Sequence, residues 1–167
     1  MNTPDSAART PTPSQGPSAT SHVTFALAGE TYGVPTALVR EVVMWIPVTR
    51  IPNAGGCVIG VINLRGEIVA VMDTRLRLGL APSEPTERSC LVVVNADRGG
   101  RRPPVALIVD TALEVTRLIS ADTNGSDGAR VAGEFVSGIA HTKSGLVILL
   151  DVDRVVHDGA DGALGAS

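Results

Sequence analysis

Short apolar runs, alternating or unbroken and cut by polar turns, fill the chain from His22 onward. Val58-Ile59-Gly60-Val61-Ile62-Asn63-Leu64 and Glu67-Ile68-Val69-Ala70-Val71-Met72 flank Arg65-Gly66. β-branched residues suit a pleated, half-buried surface, and glycine accepts the positive φ of a tight turn, so the stretch predicts strand, turn, strand. Asp73 follows where a carboxylate would cap a helix beginning Thr74-Arg75-Leu76.

The same pattern returns 78 residues later, over residues 136–151. Gly60 and Gly138, Arg65 and Lys143, and Asp73 and Asp151 fall in register. The chain therefore reads as two copies of one small β unit.

Outside the copies the pattern stays short and mostly strand-like. Val23, Phe25 and Leu27 alternate with small or polar residues, Gly29-Glu30 turns, and Thr31-Tyr32-Gly33-Val34 returns. Pro35 is placed to open a short helix over 36–40, and residues 41–46 predict a third strand. Pro47 and Pro52 hold 48–51 extended. Residues 81–86 form a linker by composition. The unbroken apolar run of 89–94 predicts a strand buried on both faces, and 105–109 and 113–118 predict two more. Glu114-Val115 echoes Glu41-Val42, and Asp151 caps a last helix over 152–157. Many short strands between turns imply two small antiparallel barrels that bury their apolar faces against each other, leaving a groove at the seam.

Composition narrows the picture. A chain of 167 residues can hide roughly 70% of its unfolded surface, so neither metal nor disulfide is needed to hold it. A 2% aromatic content leaves the core to aliphatic side chains. The net charge of −3, with Lys143 the only lysine, gives no basic patch for nucleic acid. Residues 1–21 are rich in Pro, Ser, Thr and Ala and read as a disordered tail; 122–133 reads as a mobile loop and 158–167 as a flexible end. There is no secretory signal and no run near the roughly 20 apolar residues that cross a bilayer, so a cytoplasmic protein without membrane insertion is expected. Cys57 and Cys90 form no C-x-x-C pair and fit free thiols of a reducing compartment.

Reactive constellations are sparse. No phosphate-cradling glycine motif occurs, His22, His141 and His157 stand apart, and Ser137 and Ser144 lack a G-x-S-x-G elbow. Asp73 and Asp151 are either paired carboxylates or twin helix caps, and their matched places favour caps. A binding module with no catalytic residue, metal or cofactor is the expectation.

Phe25-Ala-Leu-Ala-Gly-Glu-Thr-Tyr32-Gly-Val-Pro, Leu38-Val-Arg-Glu41-Val42, Ile51-Pro52 and above all Gly60-Val-Ile-Asn63-Leu64-Arg65-Gly66, with Asp73, Val109-Asp110, Gly138 and Asp151, resemble the CheW family of chemotaxis coupling proteins. The resemblance covers about residues 22–157. It implies a mainly all-β fold of two five-stranded SH3-like barrels packed side by side, with short helices and a C-terminal helix. The first barrel would span about 22–80, the second about 88–150, and the closing helix about 151–157.

The resemblance also implies a stand-alone, non-catalytic adaptor. Its partners would be the regulatory domain of a CheA-type histidine kinase and the cytoplasmic tip of a methyl-accepting chemoreceptor. It assigns coupling to Arg65 with Asn63, Leu64 and Gly66, and a receptor-binding surface to Val39, Glu41 and Val42. Ala70 stands where the family commonly has Pro, and Thr74 where it has Leu. Arg65 either offers its guanidinium to a partner or ties its own turn; Val39 and Val42 either face a partner or pack inward. Two other outlets stay open: a chemosensory system for surface motility or biofilm formation, or an enzyme using Asp73, His141 or Cys57 in the groove.

Overall fold

The computed structural model describes residues 19–97, 99–121 and 133–157. The tail through residue 18, the loop over 122–132 and the end from 158 lie outside the described residues. The elements are β1 (Thr20–Leu27), β2 (Glu30–Pro35), a 3-10 turn (Thr36–Leu38), β3 (Val39–Met44), β4 (Thr49–Arg50), β5 (Val58–Leu64), β6 (Glu67–Met72) and α1 (Thr74–Leu78). They continue with β7 (Cys90–Asn95), β8 (Pro104–Val109), β9 (Thr111–Leu118), β10 (Ser120–Ala121), β11 (Val136–Thr142) and β12 (Gly145–Leu150). Residues 152–157 form α2.

The 78-residue offset holds down to hydrogen bonds. β5 and β11, and β6 and β12, begin and end at matching positions. Both hairpins carry a register shift at the same place, between Val58 and Gly60 and between Val136 and Gly138. Asp73 Oδ1 accepts from the Leu76 N–H at 3.1 Å, and Asp151 Oδ1 from the Arg154 N–H at 3.1 Å. Both aspartates are helix caps, each satisfying a first-turn donor that the helix itself cannot.

Two sheets result, ordered β10-β11-β12-β2-β1-β9 and β3-β7-β8-β6-β5-β4. Each has five strands of six to eight residues and a two-residue edge piece, β10 or β4. They are the sheets of two SH3-like barrels. The expected barrel limits of 22–80 and 88–150 do not survive: β1–β2 join β9–β12, and β7–β8 join β3–β6. Each repeat thus lends its first hairpin to the other repeat's barrel. The wholly antiparallel expectation also fails at two places, because β6 pairs with β8 and β12 with β2 in parallel. Parallel pairing needs a long connection, and the exchange of hairpins supplies one in each barrel.

Smaller corrections have local causes. β1 starts at Thr20, before the predicted His22, because Thr20 and Ser21 pair with Leu118 and Arg117. The helix expected over 36–40 stops at Leu38, since Val39 already pairs with Val94 of β7. Trp45 and Ile46 fall outside β3.

The unbroken apolar runs are explained by burial on both faces. Val69 and Val71 of β6, with Leu91 and Val93 of β7, pack inside one barrel. Ala70, Met72, Val92 and Val94 face the opposite way, into a core shared with Phe25, Leu27, Val34, Leu150, Val152, Val155 and Val156. Leu118, Ala140, Val147 and Leu149 fill the second barrel. At Thr74 the core carries a cost: the residue is fully buried and its hydroxyl has no hydrogen-bond partner. An unsatisfied buried hydroxyl costs about 1–3 kcal/mol. Thr74→Val, nearly the same shape, is expected to stabilise the chain by about 1 kcal/mol, read as a higher urea midpoint with unchanged slope; a lower midpoint would contradict this.

Candidate functional site

Two residues, Arg65 and Gly66, close the β5–β6 hairpin between the paired Leu64 and Glu67. Both take positive φ, 55° at Arg65 and 87° at Gly66. Positive φ at both central residues gives the hairpin turn whose twist matches that of its strands. Glycine adopts it freely; arginine does so at a cost. The Gly66 N–H donates to Asn63 Oδ1 at 2.8 Å, so Asn63 holds the turn from within. Leu64 packs against the barrel interior and anchors the hairpin end.

Arg65 leans from the turn toward β3. Its Nη1 donates to Glu41 Oε2 at 2.7 Å. Beside this pair, Arg40 Nη2 meets Glu67 Oε1 at 2.8 Å. Neighbouring residues on two elements are thus cross-linked, 40 with 67 and 41 with 65. Two strands separate β3 from β6 in the sheet order, so these pairs show the sheet curling back on itself. Arg65 remains 76% exposed while Glu41 is only 18% exposed. Glu41 serves as a sunken anchor for one guanidinium nitrogen, and Nη2 and Nε have no partner among the described residues. A planar fork held at one corner has a preferred direction and spare donors for a carboxylate or a row of carbonyls.

The surrounding surface is mixed. Val39 is half-buried and packs against the shared core, whereas Val42 is 38% exposed and Ile68, beside the turn on β6, is 61% exposed. Arg65 and Glu41 are therefore brought into direct contact, Val42 lies on the exposed side of the same strand, and Val39 turns inward. The Arg40–Glu67 pair escaped the sequence reading. No periodicity signals it, because β3 and β6 meet only where the sheet curls back on itself. The second hairpin differs. Lys143, the counterpart of Arg65, makes no ion pair among the described residues, and its turn is held instead by the Thr142 hydroxyl, which donates to the Gly145 carbonyl at 2.9 Å.

The groove-enzyme alternative finds no convergence. A cavity of about 390 Å³ at the seam is lined by Leu27, Ile59, Asp73, Arg75, Ile108 and Asp110 among others, but by neither His141 nor Cys57. The Asp73 carboxylate is occupied as a cap. Burial pushes the Cys57 thiol up, Arg77 lowers it and Asp73 raises it, for a net upward shift that opposes thiolate chemistry. His141 is exposed on β11. Among the described residues no group of three or more His, Cys, Asp or Glu is placed to hold a metal, and no helix is long and apolar enough to cross a membrane.

The class defined by these features is a paired SH3-like barrel protein with an arginine-tipped hairpin on one barrel. Comparison with known proteins gives the family. The CheW-like domain model matches residues 21–160, and the chain belongs to that family. It is 33% identical over 93 residues to a probable chemotaxis protein CheW of Rhizobium etli, covering 56% of this chain and 57% of that protein. It is 29% identical over 138 residues to the chemotaxis protein CheW of Rhizobium meliloti, covering 80% and 84%. The crystal structure of the scaffolding protein TtCheW from Thermoanaerobacter tengcongensis superposes with a TM-score of 0.68 at 27% identity, covering 88% of this chain and 99% of that one.

Proposed function

We propose that this chain is a non-catalytic coupling protein that joins the cytoplasmic tip of a methyl-accepting chemoreceptor to the regulatory domain of a CheA-type histidine kinase. The family membership and the scaffolding role named for TtCheW support the reading. The observation that carries it is Arg65: a highly exposed guanidinium, oriented by Glu41, on a turn whose backbone is energetically unfavourable for arginine. Unfavourable backbone geometry at an exposed polar residue points to use by a partner. A receptor tip is a helical hairpin, and exposed apolar residues such as Val42 and Ile68, on the two strands that the ion pairs join, can serve as anchors for a helix while the charged neighbour sets its register. Asn63, Leu64 and Gly66 shape the turn; Val39 supports β3 from below; Glu41 and Val42 complete the contact surface. A cytoplasmic location belongs to the same proposal.

The experiment is a two-partner capture with the full chain, using a kinase regulatory domain and a receptor cytoplasmic fragment. Binding to each alone, and a three-component complex when both are present, is expected. Failure to bind either partner refutes the proposal.

A further inference from the structure

The hairpins, bulges and caps come in matched pairs, but one contact at the seam does not. Arg77 of α1 donates from Nε to the Val155 carbonyl at 2.8 Å and from Nη2 to the Arg154 carbonyl at 3.0 Å. Its guanidinium carbon also lies 4.6 Å from the centroid of the Phe135 ring. Under the 78-residue offset the counterpart of Arg77 is Val155, so Arg77 reaches across the seam to the backbone of its own counterpart, which cannot reciprocate. Arg154 Nη1 in turn donates to the Glu134 carbonyl at 3.2 Å, tying α2 to the approach of β11.

The position of this grip matters. α1 follows β6 of one barrel, and α2 follows β12 of the other. β6 starts at Glu67, which pairs with Arg40 beside the Arg65–Glu41 contact, and ends one residue before the cap of α1. One six-residue strand, followed by the first turn of α1, therefore connects the hairpin of the exposed arginine to the residue that holds the other barrel's helix. The grip needs arginine: a planar fork delivers two parallel donors to adjacent carbonyls while its face lies on an aromatic ring. Phe135 is itself packed on the shared core, so the ring is a firm platform.

We infer that Arg77 is a positioning residue for coupling: it sets the orientation of the second barrel relative to the barrel that carries Arg65. The coupling half of this inference rests on the function proposed above; the positional half does not.

The test uses the full chain with Cys57 and Cys90 replaced by alanine and spin labels at Ile68→Cys and Leu146→Cys, two exposed positions on different barrels. The parent chain should give one narrow inter-label distance. Arg77→Gln should broaden or shift it, and Arg77→Lys, which keeps a cation near Phe135 but loses the two-donor fork, should restore it only in part. Where Arg77→Gln fails to fold, Phe135→Leu, which takes away the aromatic face while keeping an apolar side chain on the core, should broaden the distance less. In parallel, Arg77→Gln should bind each partner alone within about twofold of the parent yet lose about tenfold in receptor control of the kinase, the scale of one charge-assisted hydrogen bond. An unchanged distance distribution in Arg77→Gln, or in Phe135→Leu if that variant stands in, overturns the positioning role. A parent chain that shows no coupling at all overturns the coupling half and the functional proposal together.

Discussion

Gly60→Ala is expected to cost the fold about 3 kcal/mol, near the upper end for forcing a methyl group into filled space. A Cβ at Gly60 would run into the Thr49 carbonyl oxygen, with Val48 Cγ1 at 2.8 Å and the Arg50 Cα at 2.9 Å. Two of these three obstacles are backbone, and backbone cannot swing aside as a flexible side chain can. The reason is local topology: β4 pairs with β5 at Thr49–Val61 and Arg50–Gly60, just where the register shift bends β5. Gly66→Ala makes the control. Its φ is 87° and nothing lies within 4 Å of a Cβ there, so only the conformational term of about 1–2 kcal/mol applies. Urea unfolding of both variants measures the difference, and equal losses would show that the crossing at Gly60 is not sterically tight.

Arg65→Glu is expected to leave stability within about 1 kcal/mol of the parent, because exposed ion pairs contribute little. It should nonetheless weaken partner engagement by roughly thirtyfold, the scale of an interface hot spot. The charge reversal replaces a donor fork with an acceptor and sets it beside Glu41. Arg65→Asn separates the two roles of this position. Asparagine is at ease at the positive φ of such a turn, so this variant should match or exceed the parent in stability while still losing partner engagement. Calorimetric titration against each partner, alongside thermal melts, reads both quantities. Normal binding by Arg65→Asn with a fall in stability would mean that arginine serves only its own turn.

Much of the fold was legible in the chain because the signals are local. The hairpin repeat rests on alternation, a two-residue turn and a capping aspartate, and each is decided within about fifteen residues. Burial of Leu91 to Val94 on both faces follows directly from the lack of any polar residue in that run. The exchange of hairpins was not legible. Pattern reveals that β1 pairs with β2 and β7 with β8, but nothing local selects which barrel each hairpin completes. That choice is made by the parallel seams β2–β12 and β6–β8, between residues far apart in the chain.

The candidate site divides in the same way. Arg65, Asn63 and Gly66 were visible as a turn, and Glu41 as a neighbour of the strand pattern. Their ion pair depends on the curl of the sheet, which no periodicity encodes. Val39 shows the limit of alternation: the register shift between Val39 and Glu41 breaks the period of two, and the residue ends against the core. Arg77 carried no motif at all. A basic residue on a five-residue helix is ordinary until its partners 77 and 78 positions away are known.

The decisive measurement is kinase autophosphorylation in a reconstituted mixture of receptor fragment, kinase and increasing amounts of this protein. With the parent chain, the rate should come under receptor control and saturate as the protein is added; with folded Arg65→Glu it should stay near the level of kinase alone over the same range. A rate that ignores the parent chain at every ratio, with all three components folded, would contradict the view that this doubled barrel works by holding two proteins together.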